Sequence, residues 1–302
     1  MDQDIYHIPA LLSQSIYALN IKPDGTYVDA TFGGGGHSKA IVESLNASGH
    51  LYSFDQDEDA VSRAFSDPRF TMIYGNFRFL SNFLRYYGVD AVDGILADLG
   101  VSFHHFDDSS RGFSFRSGGK LDMRMNKHAN KTAATILNDY SEEQLADIFY
   151  LYGELRQARR IAAAIVNARR IEPVDTVERL LDVCRQLINP QKEKKDLACI
   201  FQALRIEVNG ELDALKSFLT QAVGALRPGG RLAILTYHSL EDRLVKNFIK
   251  AGNFEGRAEK DFYGRVNTPL KQINSKPIVP SDEEINRNPR SRSAKLRIAE
   301  KI

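Results

Sequence analysis

Short runs of β-branched and aromatic residues alternate with amphipathic stretches along the first hundred residues of the chain. Four such runs predict strands, at residues 26–30, 50–54, 70–74 and 92–98. Between them, the segments 38–45 and 57–65 have the spacing of apolar residues that is typical of helices. Strands that alternate with helices predict βαβ units and a parallel α/β sheet that is doubly wound by helices.

The same alternation returns near the end of the chain. The pattern there predicts, in order, a helix at 212–226, a turn at 227–230, and strands at 231–237 and 294–299. About 130 residues separate the strand ending at 98 from the one beginning at 231, although a βα crossover needs only a few tens of residues. We therefore expect a separate domain to be inserted after the fourth strand.

The inserted segment has the pattern of a small helical domain. Ser141 and Gln144 match a capping box, and apolar residues follow at helical spacing as far as Tyr152. A second helix is predicted at about 157–170, before Pro173. We place the insertion at 104–207 and expect it to recognise the substrate, whereas residues 1–103 and 208–302 form the cofactor-binding α/β domain.

The composition indicates a globular protein without a strong overall charge. Of the 302 residues 43% are hydrophobic, which supplies a core and excludes a disordered or collagen-like chain. Forty basic residues balance 39 acidic ones, so any nucleic-acid surface must come from local clusters. The cysteines, Cys184 and Cys199, are fifteen positions apart, which argues against a disulfide framework and a zinc ribbon. The histidines lack metal-ligand spacing, and no metal site is predicted.

The sequence also bears on the compartment. The first residues, MDQDIYHIPALL, contain two acidic residues and lack the basic region that opens a signal peptide. No apolar run reaches the roughly 18 residues that a membrane-spanning helix needs. We therefore expect a cytoplasmic protein that does not bind a membrane.

The most specific local pattern is a glycine-rich loop between the first predicted strand and the first helix. Residues 29–38 read DATFGGGGHS, and such glycines let a ligand approach the backbone and the free N–H groups of a helix N-terminus. Nineteen residues after Gly36, Asp55 ends the second strand, where an acid can accept hydrogen bonds from both hydroxyls of a ribose. The pattern predicts a nucleoside-containing cofactor at the carboxyl ends of these two strands.

Three features favour S-adenosylmethionine over a dinucleotide. The third glycine of a G-x-G-x-x-G fingerprint is replaced by Ser38. Asp29, just before the loop, would repel a pyrophosphate, but it could hold the ammonium group of an amino acid. The LRPGG run at 226–230, ahead of an apolar strand, is similar to a turn common in Rossmann-like methyltransferases.

Asp98 ends the fourth strand and borders the same predicted crevice. It could accept a hydrogen bond from an amine that is being methylated, or it could cap the strand or line the cofactor. The aromatic residues that follow could stack a flipped base or belong to the core; they are Phe103, Phe106, Phe113 and Phe115. Both cysteines lie in the insertion in apolar surroundings, which disfavours a 5-methylcytosine mechanism through a cysteine nucleophile.

These motifs resemble those of the bacterial 16S rRNA (cytosine-N4)-methyltransferase family, RsmH/MraW. The matching runs occur in order over nearly the whole chain: HIPALL at 7–12, DATFGGGGHS at 29–38, DQD at 55–57, DGILADLGVS at 93–102, RGFSF at 111–115, LDMRM at 121–125, YGE at 152–154, FQA at 201–203 with Arg205 and Asn209, HSLEDR at 238–243, NPR at 288–290 and RIAE at 297–300. The resemblance implies a Rossmann-like class I methyltransferase sheet with an inserted helical domain. It also implies that S-adenosylmethionine methylates N4 of one decoding-centre cytidine of 16S rRNA within the small ribosomal subunit.

The resemblance implies site residues as well. Cofactor contacts are expected at Gly35, Gly36, His37, Asp55, Phe77, Asp98 and His105, and Asp98 is the candidate catalytic residue. His105 departs from the family pattern, which usually has Ser-Pro-Gln where this chain has Phe-His-His at 103–105. Many amino methyltransferases carry an Asp/Asn-Pro-Pro-aromatic motif at this strand end, but here Asp98 is followed by Leu-Gly-Val. The analogy with those enzymes is therefore one of position only.

Two basic clusters are candidate phosphate contacts, although each could equally be a solvated surface. The first lies on the second inserted helix and comprises Arg156, Arg159, Arg160, Arg169 and Arg170. The second is the C-terminal stretch with Arg287, Arg290, Arg292, Lys295 and Arg297. The HSLE run at 238–241 could border the substrate cleft, or Ser239 could cap the next helix.

Other functions remain open at this level. The chain could methylate another amine of RNA, DNA or protein, or it could be an RNA-binding assembly factor without catalysis. The oligomeric state is also open, with a homodimer as one alternative.

Overall fold

A computed structural model of the chain describes residues 9–100, 108–116, 118–259, 262–263 and 267–302. The chain divides into two compact units. The first consists of Met1–Gly100 and Leu212–Ile302, and the second is Val101–Glu211.

Seven strands of the described residues form one sheet in the first unit. They are β1 (Thr26–Asp29), β2 (His50–Asp55), β3 (Phe70–Tyr74), β4 (Val92–Asp98), β5 (Leu226–Thr236), β6 (Leu270–Gln272) and β7 (Lys295–Lys301). Their order is β3-β2-β1-β4-β5-β7-β6. The strands from β3 to β5 are parallel, whereas β7 runs antiparallel to both β5 and β6. This arrangement confirms the predicted α/β sheet and places the carboxyl ends of β1, β2 and β4 at one edge.

The structure corrects the sequence-based reading at β5. This strand begins at Leu226, not at Arg231, so the predicted turn lies inside the strand. The register against β4 passes from Val92 beside Leu226 to Gly94 beside Arg231, which leaves four residues of β5 opposite one of β4. The segment is therefore a bulge, and Gly229 at its tip has a positive φ of 77°. The short strand β6 was not predicted, because a three-residue strand with one buried side chain has too little pattern.

Helices cover both faces of the sheet. They are α1 (Leu12–Leu19), α2 (Gly36–Glu43), α3 (Glu58–Val61) and α4 (Leu80–Tyr86) before the second unit, and α10 (Glu211–Ala225), α11 (Ser239–Ala251) and α12 (Asp282–Arg287) after it. Apolar side chains of α1 and α2 are buried against one face, around Leu96 and Leu235. Side chains of α4, α10 and α11 are buried against the other, around Ile95 and Ile234. Neighbouring strand residues alternate between the two faces, so the sheet is doubly wound as predicted.

The second unit contains five helices within its described residues. They are α5 (Ala133–Asp139), α6 (Glu142–Leu151), α7 (Ala158–Arg169), α8 (Val177–Arg185) and α9 (Glu193–Asn209). The predicted capping box is confirmed, since Ser141 accepts the backbone N–H of Gln144 and the Gln144 side chain accepts that of Ser141. The unit has its own apolar core, with Phe149 and Ile161 fully buried. None of the helices that the structure describes is long and apolar enough to cross a membrane.

Candidate cofactor and amine site

The glycine-rich loop turns from β1 into α2 through two residues in the left-handed region. Gly33 has φ 53° and Gly35 has φ 77°. A Cβ on Gly35 would lie 2.8 Å from a ring carbon of Phe32, whereas a Cβ on Gly33 would meet no heavy atom within 4 Å. The backbone is thus packed against protein at Gly35 and open at Gly33. Helix α2 begins at Gly36 without a side-chain cap, so the N–H groups of its first turn remain available for a ligand.

Asp29, the last residue of β1, forms hydrogen bonds with residues at both ends of the glycine-rich loop. The side chain is fully buried; Oδ2 accepts the hydroxyl of Ser38 at 2.6 Å and Oδ1 accepts the backbone N–H of Thr31 at 3.1 Å. Burial raises the pKa of Asp29 to about 6. The expectation that Asp29 offers its carboxylate to an ammonium group is therefore wrong for this structure, because neither oxygen reaches the surface. The residue ties the end of β1 to the first turn of α2.

Asp55 occupies the carboxyl end of β2 beside the loop. Its Oδ2 accepts the N–H of Gly33 at 2.9 Å, and its Oδ1 accepts the N–H of Asp57 at 2.9 Å. Burial raises the pKa of Asp55 to about 6, although backbone hydrogen bonds from Asp57, Gly33 and Gln56 oppose the rise. The side chain remains partly exposed, and a carboxylate has about four acceptor positions. Acceptor capacity therefore remains for an incoming hydroxyl.

Asp98 ends β4 with one oxygen engaged and the other open. Oδ1 accepts the phenolic O–H of Tyr237 at 2.7 Å, and the backbone N–H of Asp98 donates to the hydroxyl of Thr31 at 2.6 Å. Oδ2 lies 3.6 Å from Nδ1 of His37, which is too long for a hydrogen bond. Burial raises the pKa of Asp98 to about 7, the Tyr237 hydrogen bond lowers it, and the charge of Glu241 raises it further. A carboxylate that titrates near neutrality therefore stands at the sheet edge.

Two further predicted cofactor residues lie on the same unit. His37 is buried in the first turn of α2, where burial lowers its pKa, so the ring is neutral at pH 7. Its Nε2 has no hydrogen-bond partner among the residues that the structure describes. Phe77 opens a 3₁₀ turn after β3 and packs edge-on against Phe218, with ring centroids 5.2 Å apart. His105 lies outside the described residues.

The residues around the loop fit an adenosyl cofactor. Gly33 leaves space against its backbone, Asp55 keeps acceptor capacity for a ribose hydroxyl, and His37 presents a buried Nε2 without a partner among the described residues. Such clefts at the carboxyl ends of parallel strands are where open α/β sheets bind ligands. The individual contacts of these residues stay predictions.

Comparison with known proteins assigns the family. The sequence profile of the MraW methylase family matches residues 4–302. The chain belongs to the MraW methylase family. A protein of Phocaeicola vulgatus named Ribosomal RNA small subunit methyltransferase H is 62% identical over 299 residues, covering 99% of this chain and 98% of that protein. A Bacteroides fragilis protein of the same name is 59% identical over 300 residues, covering 99% of each.

Two solved structures that resemble the chain are much more distant. An rRNA methylase of Streptococcus thermophilus has a TM-score of 0.43 at 12% identity, covering 96% of this chain and 95% of that one. A Streptococcus mutans protein in complex with SAH has a TM-score of 0.44 at 13% identity, covering 98% and 100%. A likeness this low supports no conclusion about the site. Family membership confirms the predicted methyltransferase class, and a methylase family implies S-adenosylmethionine as the cofactor.

The first basic cluster of this methylase divides into two kinds of residue. Arg156, Arg159 and Arg160 are exposed, and within the described ranges none of them has a hydrogen-bond or ion-pair partner. Arg169 instead donates from Nη1 to two carbonyl oxygens at the end of α5, at 2.7 and 2.8 Å. Arg169 therefore braces the helices of the second unit, because it satisfies carbonyl groups that a helix end leaves unpaired.

The C-terminal cluster contains both exposed and buried basic residues. Arg290 and Arg292 are exposed, and their role in binding RNA stays a prediction. Arg297 is buried, and its Nε donates to Oδ1 of Asp242 at 2.7 Å; the ammonium of Lys295 lies 3.5 Å from the same carboxylate. Both residues connect β7 to α11. Arg297 is thus a buried ion-pair partner and not part of a phosphate-binding surface, whereas the role of Lys295, whose side chain is 42% exposed, stays a prediction.

The structure also corrects the roles predicted for the aromatic residues and for the HSLE run at 238–241. Phe113 is buried in the core of the second unit, so it does not offer a stacking face, and Phe103 and Phe106 lie outside the described residues. Residue His238, not Ser239, is the N-cap of α11.

Tyr237 is the site residue that sequence reasoning missed. A signal was available, since Tyr237 directly follows β5, the strand that pairs with β4.

Proposed function

We propose that this methylase transfers a methyl group from S-adenosylmethionine to N4 of a decoding-centre cytidine in the rRNA of the small ribosomal subunit. The names of relatives at 59 and 62% identity support small-subunit rRNA as the substrate. The position of Asp98 supports an amine as the methyl acceptor. One of its carboxylate oxygens accepts the hydroxyl of Tyr237, and the other is left to accept an N–H of the substrate at the carboxyl end of β4. Such a substrate places the enzyme in the cytoplasm.

For this reaction the protein must place the amine next to the methyl group and accept one proton. When bound, S-adenosylmethionine supplies an electrophilic methyl group on a sulfonium sulfur. Asp98 accepts a hydrogen bond from one N–H of the exocyclic amine, which draws the nitrogen lone pair out of conjugation with the ring and fixes the approach of the amine. The methylated nitrogen carries one proton too many, and Asp98 accepts it. A carboxyl group whose pKa is about 7 suits this step, because a base works best near the working pH.

The cysteines support an amine rather than a ring carbon as the acceptor. Methylation at C5 of cytosine needs a thiolate nucleophile, but both cysteines of the chain belong to the second unit. Cys184 is fully buried, which raises the pKa of its thiol to about 12, and burial also raises the pKa of Cys199. Neither side chain is a thiolate at neutral pH.

We assign different tasks to the two units. The first unit binds the cofactor through the backbone of Gly35 and Gly36 and the side chains of His37, Asp55 and Phe77. The second unit, with the insertion placed at 104–207, recognises the RNA. Three exposed guanidinium groups near the start of α7, unpaired within the described ranges, support this assignment, because arginines of this kind bind phosphates.

Analysis of the modified nucleoside tests the proposal. Small subunits from a strain that lacks the gene are incubated with the enzyme and S-adenosylmethionine, and the digested rRNA is separated by chromatography and mass spectrometry. We expect N4-methylcytidine at one position; its isomer 5-methylcytidine differs in retention time. 5-Methylcytidine, or methylation of another macromolecule, would contradict the proposal. Calorimetry with S-adenosylmethionine separates an active enzyme from an assembly factor that does not bind the cofactor.

The variant Asp98→Asn tests the role of the carboxylate. The amide keeps the shape of the side chain but cannot take the proton, so at saturating cofactor we expect kcat to fall by about 10²–10⁴-fold. The wild type should lose activity as the pH falls through about 7, since only the ionised form of Asp98 accepts the amine. The exposed Asp90→Asn is the matched control for loss of one charge. Wild-type turnover by Asp98→Asn would remove Asp98 from the chemistry.

A further inference from the structure

Tyr237 stands directly after β5, beside the end of β4. The two strands are parallel, and Asp98 pairs with Leu235, two residues before Tyr237. The phenolic O–H donates to Oδ1 of Asp98 at 2.7 Å. The ring packs over Gly100, where a Cβ would lie 3.0 Å from Cδ2 of Tyr237, and Gly100 has a φ of 112° that disfavours other residues. The absence of a side chain at Gly100 therefore leaves room for this ring at the end of β4.

The backbone of Tyr237 is held as firmly as its side chain. Its N–H donates to Oε2 of Glu241 at 2.9 Å, and Glu241 is 3% exposed in the first turn of α11. Tyr237 consequently lies between two carboxylates: its backbone N–H donates to Glu241 and its hydroxyl donates to Asp98. The orientation of the phenol does not depend on a bound ligand.

We propose that Tyr237 is a positioning residue for methyl transfer, which locks the Asp98 carboxylate so that Oδ2 alone accepts the substrate amine. The inference rests on the proposed function of Asp98. The hydrogen bond occupies Oδ1 and fixes the side-chain torsion, while Oδ2 has no hydrogen bond among the described residues. A freely rotating carboxylate would present either oxygen, and the amine would lose its fixed approach.

The charged and titratable groups around Asp98 explain why the hydrogen bond from the Tyr237 hydroxyl matters for its ionisation. Glu241 faces it from α11, and its charge disfavours the ionisation of Asp98. Asp29 lies at the end of β1, where the charge of Asp98 contributes to raising the Asp29 pKa, after burial as the main cause. His37 faces Asp98 from α2 but is neutral, because burial lowers its pKa. Burial and then Asp98 raise the pKa of Tyr237 well above its usual value, with smaller contributions from Glu241 and from Glu284 on α12, so the phenol stays protonated as a donor. The Tyr237 hydroxyl is thus the group that favours the charged form of Asp98.

The variant Tyr237→Phe removes the hydroxyl and keeps the ring that packs on Gly100. It deletes one hydrogen bond to a charged group, so we expect the pKa of Asp98 to rise by about one unit and kcat at pH 7 to fall about fivefold, as the ionised fraction falls. The activity that depends on ionised Asp98 is present above its pKa and absent below it, so the acid limb of the kcat–pH profile must move to higher pH. A purely structural role would lower the melting temperature without moving that limb.

The matched control is Tyr140→Phe, which removes a tyrosine–carboxylate hydrogen bond of 2.9 Å to Glu207 in the second unit. We expect its kcat–pH profile to coincide with that of the wild type. The Asp98 pKa is also read without catalysis, from the pH titration of the carboxyl ¹³C resonance in aspartate-labelled protein, assigned by its absence in Asp98→Asn. This titration tests the Tyr237–Asp98 hydrogen bond even if the proposed reaction is wrong.

The outcomes separate the two proposals. A wild-type enzyme that leaves small-subunit rRNA unmethylated contradicts the proposed function, and the titration alone then decides whether the hydrogen bond tunes Asp98. A methylating enzyme whose Tyr237→Phe variant keeps the wild-type kcat, acid limb and Asp98 titration overturns the positioning role. If Tyr237→Phe does not fold, 3-fluorotyrosine at this position makes the phenol a stronger donor, and the acid limb must move to lower pH. An unmoved limb would again overturn the inference.

Discussion

Replacement of Asp55 by asparagine separates the two tasks of this carboxylate, which are to bind the cofactor and to hold the loop. The amide oxygen can still accept one of the two backbone N–H groups, from Gly33 or Asp57. The ribose diol, however, loses a charged acceptor. Hydrogen bonds to charged groups contribute about 1.5–3 kcal/mol and neutral ones about 0.5–1.5, so the difference is about 1–2 kcal/mol. We expect the Kd for S-adenosylmethionine to rise roughly 5- to 30-fold, and Asp55→Ala to weaken binding further.

The stability of the cofactor-free protein should respond differently. The pKa of Asp55 is raised from 3.8 to about 6, which corresponds to an upper bound of about 3 kcal/mol of destabilisation at neutral pH. Because the side chain is partly exposed, solvent screening reduces this to about 1–2 kcal/mol. Asparagine removes this penalty and leaves one N–H without an acceptor, at a cost of about 1 kcal/mol. The free energy of unfolding should therefore change by less than about 1 kcal/mol.

The raised pKa of Asp55 also makes the free energy of unfolding and the cofactor affinity depend on pH. The ionised carboxylate destabilises the fold fully above pH 6, and this penalty fades as the pH falls towards 3.8, because the native state takes up the proton first. The gain from asparagine should shrink over that window. Cofactor affinity of the wild type should weaken below about pH 6, where the carboxylate protonates, whereas that of Asp55→Asn should stay flat.

Calorimetric titration at pH 8 and pH 5.5, together with urea denaturation, measures both effects. Asp90→Asn, at an exposed aspartate of the same unit, is the control for charge. An Asp55→Asn protein that is folded and binds S-adenosylmethionine with the wild-type Kd at both pH values would refute the assignment of Asp55 to the ribose.

Two further predictions concern the second unit. Cys184→Ala and Cys199→Ala should retain the wild-type rate of methyl incorporation into rRNA, because neither thiol takes part in the reaction; an inactive but folded variant would reopen a covalent mechanism. The triple change of Arg156, Arg159 and Arg160 to glutamine should weaken binding to the small subunit and lower its salt slope by about one for each phosphate that is no longer neutralised, measured by fluorescence anisotropy over a range of salt. Its affinity for S-adenosylmethionine should stay the same, and an unchanged salt slope would transfer the RNA-binding role to Arg290 and Arg292.

The local elements of this protein were readable from its sequence because their signals are local. Parallel strands are buried on both faces, so they appear as short apolar runs that end at polar residues. Asp55 and Asp98 were found in this way, as the last residues of β2 and β4. The capping box at Ser141 and the glycine loop before α2 depend on neighbouring residues only.

The partners of polar side chains were decided by the tertiary structure. Asp29 looked like a ligand for an ammonium group, but β1 and α2 enclose it and Ser38 satisfies it. Arg297 looked like part of a basic surface, but Asp242 on α11 neutralises it. The order of residues shows which charged side chains are neighbours along the chain. It does not show which side chain each of them contacts in the folded protein.

Tyr237 gives the clearest case of this division. The sequence identified it only as the last residue of the predicted strand 231–237, and 139 positions separate it from Asp98 along the chain. The two meet because β4 and β5 are adjacent in the sheet even though the whole second unit lies between them in sequence. By itself, the sequence determined which strands end in chemically active residues. Which of those ends share a hydrogen bond was decided by strand pairing, because pairing depends on contacts between distant segments that no local pattern records.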